Sequence, residues 1–430
     1  MIQVINTFSE FQNIEQSWDD LYQRSLVSNL FLTHTWLSLW IKHFGDDQTF
    51  ALLYVPDASW QGQVNDTGRS SQVNGAGRGS QVNGAGRGLE DERCRLEAGV
   101  VLKRYNKTIG FIETDFSYYP DFLSPPHSTA PIRDLLNYLK GLEGRRGLKG
   151  NHLPSKLVFA GARVNSALCK NVEILAQDQW VAIFKYPSKM RSIVLSGTFD
   201  SYLKSQGAKF KSEIRRKVRR AQSNYRVSLK TFSRGDEKGE LFETVRSVEQ
   251  DSWKTQEGSA IIDNEKQLHF YGDVFTRYAE QDKARAYVLY FDDRPVSFIM
   301  GILSDHTYYA LKTSYRLLYR EYSPGLVLFA TVIESFFKGK AVHPAPAEHP
   351  SDVGSLCSAV RPCGEVNRLE FLGSDARWKG EFSNHQEDFC TLELYPIGPK
   401  SLSYYILYKY VRPVVKRLFH EKLTTAFRGR

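Results

Sequence analysis

Tyr322-Ser323-Pro324-Gly325-Leu326 follows two predicted strands, 295–303 and 306–313, and opens a predicted helix. Ser323 reads as the N-cap and Pro324 as the first helical residue, where a missing N–H costs nothing. Gly325 lets a ligand approach the backbone closely. Free amides at the positive end of a helix dipole suit a phosphate group. An ordinary loop-to-helix junction has the same pattern, so the spacing alone leaves both readings open.

Three further groups carry candidate chemistry. Residues 209–220 (KFKSEIRRKVRR) place seven Lys/Arg in a twelve-residue predicted helix. Phe210, Ile214 and Val218 recur every four positions and would dock one face, leaving Arg215, Arg216, Arg219 and Arg220 outward. Such a face is a solvated surface or a contact for an anionic substrate, a tRNA backbone or a membrane. Residues 368–382 end a strand in Glu370 and Phe371 and then supply Gly373, Asp375, Trp378 and Lys379. A lysine there would meet a phosphate or a developing oxyanion, or merely snorkel from a turn. Trp253, in Asp251-Ser252-Trp253-Lys254, is either packing or a ligand platform. Tyr119 and Asp121, in Tyr118-Tyr119-Pro120-Asp121-Phe122, sit in a polar-aromatic turn that would line a sugar or acyl pocket. No serine–histidine–acid set, Walker loop or dinucleotide fingerprint is identifiable.

The elements that position these groups alternate. Helices are predicted at 8–24, 31–44, 131–143, 164–170, 199–223, 236–253 and 264–281, and strands near 50–55, 98–104, 108–113, 156–160, 179–185, 192–195, 368–372 and 389–395. Helices precede a hairpin-rich sheet, and that order repeats, which predicts an α/β (α+β) chain of two similar halves. The first half spans 1–195 and the second 196–398, with a basic tail at 399–430. A nine-residue repeat at 63–89, rich in Gly, Asn, Ser and Arg, has one valine per unit and cannot offset its ordering entropy by burial. The segment 61–93 is therefore an expected flexible insertion. A calcium-binding β-roll is disfavoured because the aspartates are missing. The Pro-rich 339–366 segment is a second insertion.

The 430 residues suit two domains, and 41% apolar content is enough to bury both. A net charge of +9 favours anionic partners without choosing one. Five scattered cysteines and ten dispersed histidines show no zinc spacing, so a reduced, intracellular, metal-free protein is expected. No secretory signal and no apolar run of spanning length is evident, which makes the cytoplasm the expected location.

Taken together and in order, these pieces resemble the CelD-type acyltransferases of the GNAT superfamily, which are linked to cellulose and exopolysaccharide biosynthesis. Phe31-Leu32-Thr33-His34-Thr35-Trp36-Leu37 with Trp40 and Phe44-Gly45 resembles the family's N-terminal aromatic signature. Residues 118–123 resemble its "SDYxDFL" turn, 209–220 its "KFRSNLRRxxRR" helix, and Ser252-Trp253-Lys254 with Gly258 its "SWK…G" segment. Arg294-Pro295-Val296, Thr307-Tyr308-Tyr309, Ser314-Tyr315 and 322–325 follow the acyl-CoA half. Residues 370–379 stand where the family has "DFxxGxxxYK", with Glu370 and Trp378 replacing its Asp and Tyr. The Q/RxxGxG/A phosphate loop of simpler GNAT enzymes is incomplete.

The resemblance covers about 25–385 outside the insertions. It implies a tandem GNAT-like acyl-CoA N-acyltransferase fold, two mixed sheets flanked by helices, and transfer from acyl-CoA, a co-substrate, to an amine or hydroxyl. The expected acceptor is a sugar, an amine or a lipid-linked molecule, with peripheral contact to the inner membrane. Tyr322, Ser323, Pro324, Gly325 and Leu326 are the expected coenzyme A contacts. Asp375 or Glu370 is the expected base, Lys379 a phosphate or oxyanion contact, and Tyr315 the proton donor to the thiolate. Arg215, Arg216, Trp253, Tyr119 and Asp121 are the expected acceptor contacts. Related Fem-type enzymes share the double fold but use aminoacyl-tRNA, and a catalytically silent partner of a polysaccharide-synthesis complex is a third reading.

Overall fold

The computed structural model describes residues 1–25, 27, 29–56, 95–106, 108–112, 118–126, 129–141, 156–176, 179–339, 366–373, 375–398, 403, 406 and 407. Both expected insertions and the tail lie outside these apart from a few single residues, as do Cys94, Cys357 and Cys363. The chain divides into two units, one of Met1–Ile41, Gly45–Pro187 and Phe389–Arg430, the other of Lys42–Phe44 and Ser188–Asp388.

In the first unit, β1 (Ile2–Ile5), β2 (Thr49–Tyr54), β3 (Ala98–Tyr105), β4 (Thr108–Phe111) and β5 (Lys156–Arg163) lie side by side in chain order. Residues 389–396 of β12 (His385–Pro396) pair antiparallel with β5, and only β4–β5 is parallel among these pairs. Helices α4 (Ala130–Gly141), α5 (Ala167–Lys170) and α6 (Val172–Ala176) cover one face through Leu135, Leu139 and Leu168 against Val100, Leu102 and Phe159. The expected helix at 8–24 is two, α1 (Phe8–Gln12) and α2 (Glu15–Arg24), and a capping box at Thr7 and Glu10 starts the first. The expected helix from 31 begins three residues later, as α3 (His34–Phe44). Thr33 accepts the Trp36 amide there, and Leu30–Leu32 forms a 3-10 turn.

The second unit carries residues 188–194 of β6 (Trp180–Val194), then β11 (Arg368–Glu370), β10 (Thr307–Tyr315), β9 (Arg294–Ser304), β8 (Ala284–Phe291) and β7 (Val227–Phe232) in that spatial order. The two strands expected at 179–185 and 192–195 are one, β6, since Pro187-Ser188 does not interrupt it. Strands β1, β7 and β8 escaped the sequence reading. Helices α7 (Phe199–Ser205) and α8 (Ala208–Asn224) replace one expected helix, because Gly207 at φ 99° breaks the run. Phe210, Ile214, Val218 and Ala221 of α8 pack with α12 (Pro324–Gly339) on the sheet face that bears Tyr287, Leu289 and Phe291. On the opposite face Tyr290 meets Thr244 of α9 (Lys238–Gln250), beside α11 (Glu265–Ala279). Two short helices, α10 (Trp253–Gln256) and α13 (Arg377–Phe382), complete the unit.

One pairing matters most. Strands β10 and β11 run parallel over three residues only, Thr307↔Arg368 to Tyr309↔Glu370. A bulge between Ala310 and Lys312 then bends β10, which continues to Tyr315 against β9 alone. The β11 chain turns away through Leu372 and Gly373, both at positive φ, and Phe371 bonds back to Arg191. Among the described residues, the β11-side edge of β10 from Lys312 to Tyr315 therefore faces no strand.

Candidate active site

The gap between β10 and β11 opens beside the start of α12. Tyr315 ends β10, and its ring would lie 3.7 Å from a Cβ placed on Gly325. A 3-10 turn, Leu317–Tyr322, leads to Ser323, whose left-handed backbone (φ 51°) differs from the extended N-cap expected of it. Its carbonyl still accepts the first helical bond, from Val327 at 3.1 Å. The amides of Gly325 and Leu326 thus precede the first intrahelical bond and point out of the helix end. Pro324 and Tyr322 are buried.

The basic helix α8 reaches the same place. Lys217 Nζ donates to the Glu321 carbonyl at 2.7 Å, Arg220 pairs with the Glu321 carboxylate, and the Arg220 guanidinium lies 5.1 Å over the Tyr322 ring. Burial and the neighbouring Arg216 charge push Lys217 below its usual range. Arg215 leans the other way, 3.5 Å from Asp200, while Arg216 is exposed. The outward row expected of four arginines is therefore split between two sides of the helix.

On the α9 face of β10 sits a second group. Glu249, fully buried at the end of α9, takes the amides of Ile261 and Ile262 on Oε2 at 2.7 and 3.4 Å. Its Oε1 has no partner among the described residues, and neither has the buried hydroxyl of Ser252 or of Ser314. Burial pushes the Glu249 carboxyl up, against the pull of Lys254 and Lys312. Burial likewise pushes Lys254 down, opposed by Glu249. Lys379, on α13, donates to the Leu372 carbonyl at 2.5 Å. Burial drives Lys379 down to about 8, Asp375 opposing and the Lys254 charge adding to the shift. Each of the two lysines lies beside the tryptophan that precedes it, Lys254 at 6.0 Å from the Trp253 ring and Lys379 at 5.8 Å from the Trp378 ring.

Of the expected bases, Asp375 is gripped by Arg191 through both carboxylate oxygens, at 3.0 and 3.3 Å, which holds it below the usual carboxylate range. That makes it a poor proton acceptor. Glu370 is buried and pairs with Arg368 at 2.5 Å. Tyr119 and Asp121 belong to the first unit and are buried. The Tyr119 ring packs on Phe389 and under the Arg163 guanidinium, 4.7 Å away. Asp121 accepts the Phe122 amide at 2.9 Å, and its other oxygen has no partner among the described residues.

The sequence reading missed Glu249, Lys312 and Arg191 as site residues. Glu249 left a signal, because Leu241, Val245 and Glu249 form one i, i+4 row of an amphipathic helix and a carboxylate does not belong on that row. Arg191 left none. No group of His, Cys, Asp and Glu that could hold a metal occurs among the described residues. Two clefts, of about 160 Å³ around Phe8 and Phe50 and about 360 Å³ around His43, Phe242 and Asp273, are lined by none of the expected site residues.

No curated protein matches the chain. Among solved structures, a conserved protein of unknown function from Bacteroides thetaiotaomicron is similar at TM-score 0.50 and 10% identity, over 92% of this chain and 100% of that one. FemX is similar at TM-score 0.50 and 9% identity, over 91% of this chain and 98% of its own. A tandem GNAT protein from the clavulanic acid pathway scores 0.41 at 10% identity, over 93% and 99%. Residues 208–340, from the start of α8 to the end of α12, match the family model of the acetyltransferase (GNAT) domain, and the chain has a tandem GNAT-like fold.

Proposed function

We propose that this chain is an acyltransferase that moves an acyl group from acyl-CoA to an amine or hydroxyl, with Ser314–Tyr315, the start of α12 and the two Trp-Lys steps as its working parts. The observation that carries this reading is the parting of β10 from β11 beside the α12 terminus. An unpaired strand edge can take an extended thioester arm by main-chain hydrogen bonds. The helix end beyond it suits the pyrophosphate, with Lys217 and Arg220 adding positive charge nearby.

In the proposed reaction the acceptor's oxygen or nitrogen attacks the thioester carbonyl, and the carbon–sulfur bond then breaks. Lys379 faces the oxyanion of the tetrahedral intermediate, and the departing thiolate takes a proton from Tyr315. The acceptor's proton passes to a carboxylate. Glu249 fits that role better than Asp375 or Glu370, because those two are neutralised by Arg191 and Arg368. Positioning the two substrates does most of the remaining work. We place the acceptor in polysaccharide or cell-envelope synthesis, on the family resemblance, and the protein in the cytoplasm with peripheral membrane contact. No helix of the described residues is long and apolar enough to cross a membrane.

A second reading, an aminoacyl-tRNA donor, draws support from the exposed Arg216 and Arg219 of α8. Thermal unfolding with acetyl-CoA, longer acyl-CoAs, free coenzyme A and deacylated tRNA separates the two. A ligand at about a hundred times its Kd adds roughly 2.7 kcal/mol, which is a shift of a few degrees. Stabilisation by the thioesters and not by tRNA is the expected result. Stabilisation by tRNA alone would sink the acyl-CoA reading.

A further inference from the structure

A cleft of about 360 Å³ lies within the second unit, and no residue given a donor or acceptor role above lines it. On α9 its lining is Lys238, Phe242 and Arg246, an i, i+4, i+8 row on one side of the helix. On α11 it is Leu268, His269, Gly272 and Asp273, and the end of α3 adds His43. Part of this wall is firmly held. Asp273 Oδ2 lies 2.8 Å from Lys42 and 2.9 Å from His43, and its Oδ1 lies 3.8 Å from Lys238. The His43 ring also meets Phe270 edge-on at 5.9 Å. Gly272 is buried inside α11, a position where glycine is costly. A Cβ there would stand 2.9 Å from Lys238 Cε, so the glycine is what lets the lysine stem lie against the helix.

The rest of the wall is not used by the fold. Phe242 is half-buried, and its ring meets no other ring among the described residues. His269 is exposed and makes no hydrogen bond, ion pair or ring contact among them. Arg246 makes no hydrogen bond there, and its one ion-pair partner is Glu243, 4.0 Å away and 79% exposed. A pair so long and so wet contributes little. Asp273 is the only carboxylate that lines the cleft, and Lys42 and His43 already engage it. The lining therefore carries surplus positive charge beside the apolar Phe242 and Leu268.

An anion with a flat apolar body matches both features, whereas a neutral ring forgoes the charge and a bare anion forgoes the ring. A monophosphate brings nearly two charges and three acceptor oxygens, enough for Arg246 and His269 together. The volume is at the small end of ligand clefts and suits one ring with its substituent. We propose that this cleft binds a small aromatic phosphate ester, the ring on Phe242 and Leu268 and the phosphate on Arg246 and His269. The site does not depend on the acyl-transfer reading. It adjoins it through α9, because Arg246 precedes Ser247, which accepts from Arg316, and Glu249, the carboxylate proposed above as proton acceptor.

Phenyl phosphate, benzoate, phenol and inorganic phosphate, each titrated into the full chain by calorimetry, test the proposal. Phenyl phosphate is expected to bind roughly tenfold or more tightly than each of the other three. Arg246→Gln is expected to bring it down to the level of phenol, and Phe242→Leu to the level of inorganic phosphate. Arg246 is exposed and leucine keeps position 242 apolar, and far-UV circular dichroism checks that both variants stay folded. The thermal shift given by acyl-CoA is expected to be the same in Arg246→Gln as in the parent protein. No saturable binding of phenyl phosphate, equal binding of inorganic phosphate, or equal or tighter binding of benzoate would each overturn the proposal. So would a preference that survives Arg246→Gln, which would put the ligand at another anion site of the chain.

Discussion

Asp121 is a carboxyl held where water cannot reach it. Burial pushes it up to about 7, although the Phe122 amide and the Arg163 charge pull the other way. An acid whose folded pKa is raised keeps its proton in the folded state after the unfolded chain has lost it. Stability therefore falls as pH rises from about 4 to about 7, by roughly 4 kcal/mol in total. Asp20 and Asp200, held near 2 by Arg95 and Lys211, act in the opposite sense and at lower pH. Asp121→Asn keeps an acceptor for the Phe122 amide and removes the charge. The variant is expected to match the parent at pH 4.5 and to exceed it by several kcal/mol at pH 8 in urea unfolding. An unchanged difference between the two pH values would show that burial does not raise the Asp121 pKa above its unfolded value.

At the scale of elements, β2 and β3 pair in unbroken register from Thr49↔Lys103 to Tyr54↔Ala98, and Glu97 bonds back to Tyr54 at 3.0 Å. The hairpin's ladder therefore lies wholly within 49–54 and 97–103. Replacing 60–92 by a short Asn-Gly-containing turn lowers the entropic cost of loop closure and is expected to raise stability by about 1–2 kcal/mol. A loss of similar size, read from the denaturant midpoint, would mean that the repeat packs on the body. Elements with strong periodicity were legible in the sequence. The α8 row of Phe210, Ile214 and Val218, the β9–β10 hairpin and α12 all lie where the pattern puts them. Strand β7 was not legible, because Val227–Phe232 mixes buried and half-buried positions at a sheet edge. The parting of β10 from β11 was not legible either. It depends on a pairing across about sixty residues, and local preference carries no trace of that. Glu249 lay between these cases, visible as a misplaced charge but without a partner in the sequence to explain it.

For the whole molecule, the net charge of +9 makes any polyanion a partner at low salt, so affinity alone cannot identify the donor. Salt dependence can. A tRNA held by six or more phosphate contacts loses about a thousandfold in affinity between 50 and 200 mM salt. Coenzyme A, with few charges and a thioester arm lying along β10, should lose far less. Reversing charge at two exposed positions of α8, Arg216→Glu with Arg219→Glu, sharpens the contrast. The contacts to Glu321 and Tyr322 at the α12 terminus come from Lys217 and Arg220, which the double variant leaves in place. With acyl-CoA as donor, the double variant is expected to keep its acyl-CoA thermal shift within about a degree while low-salt tRNA retention falls at least tenfold. If tRNA is the donor, the same variant loses transfer from aminoacyl-tRNA in proportion to that binding and shows no thioester shift to preserve. Filter binding across a salt series, run beside thermal unfolding with acyl-CoA, distinguishes the two. The +9 charge then reads either as a general surface property or as the footprint of the donor.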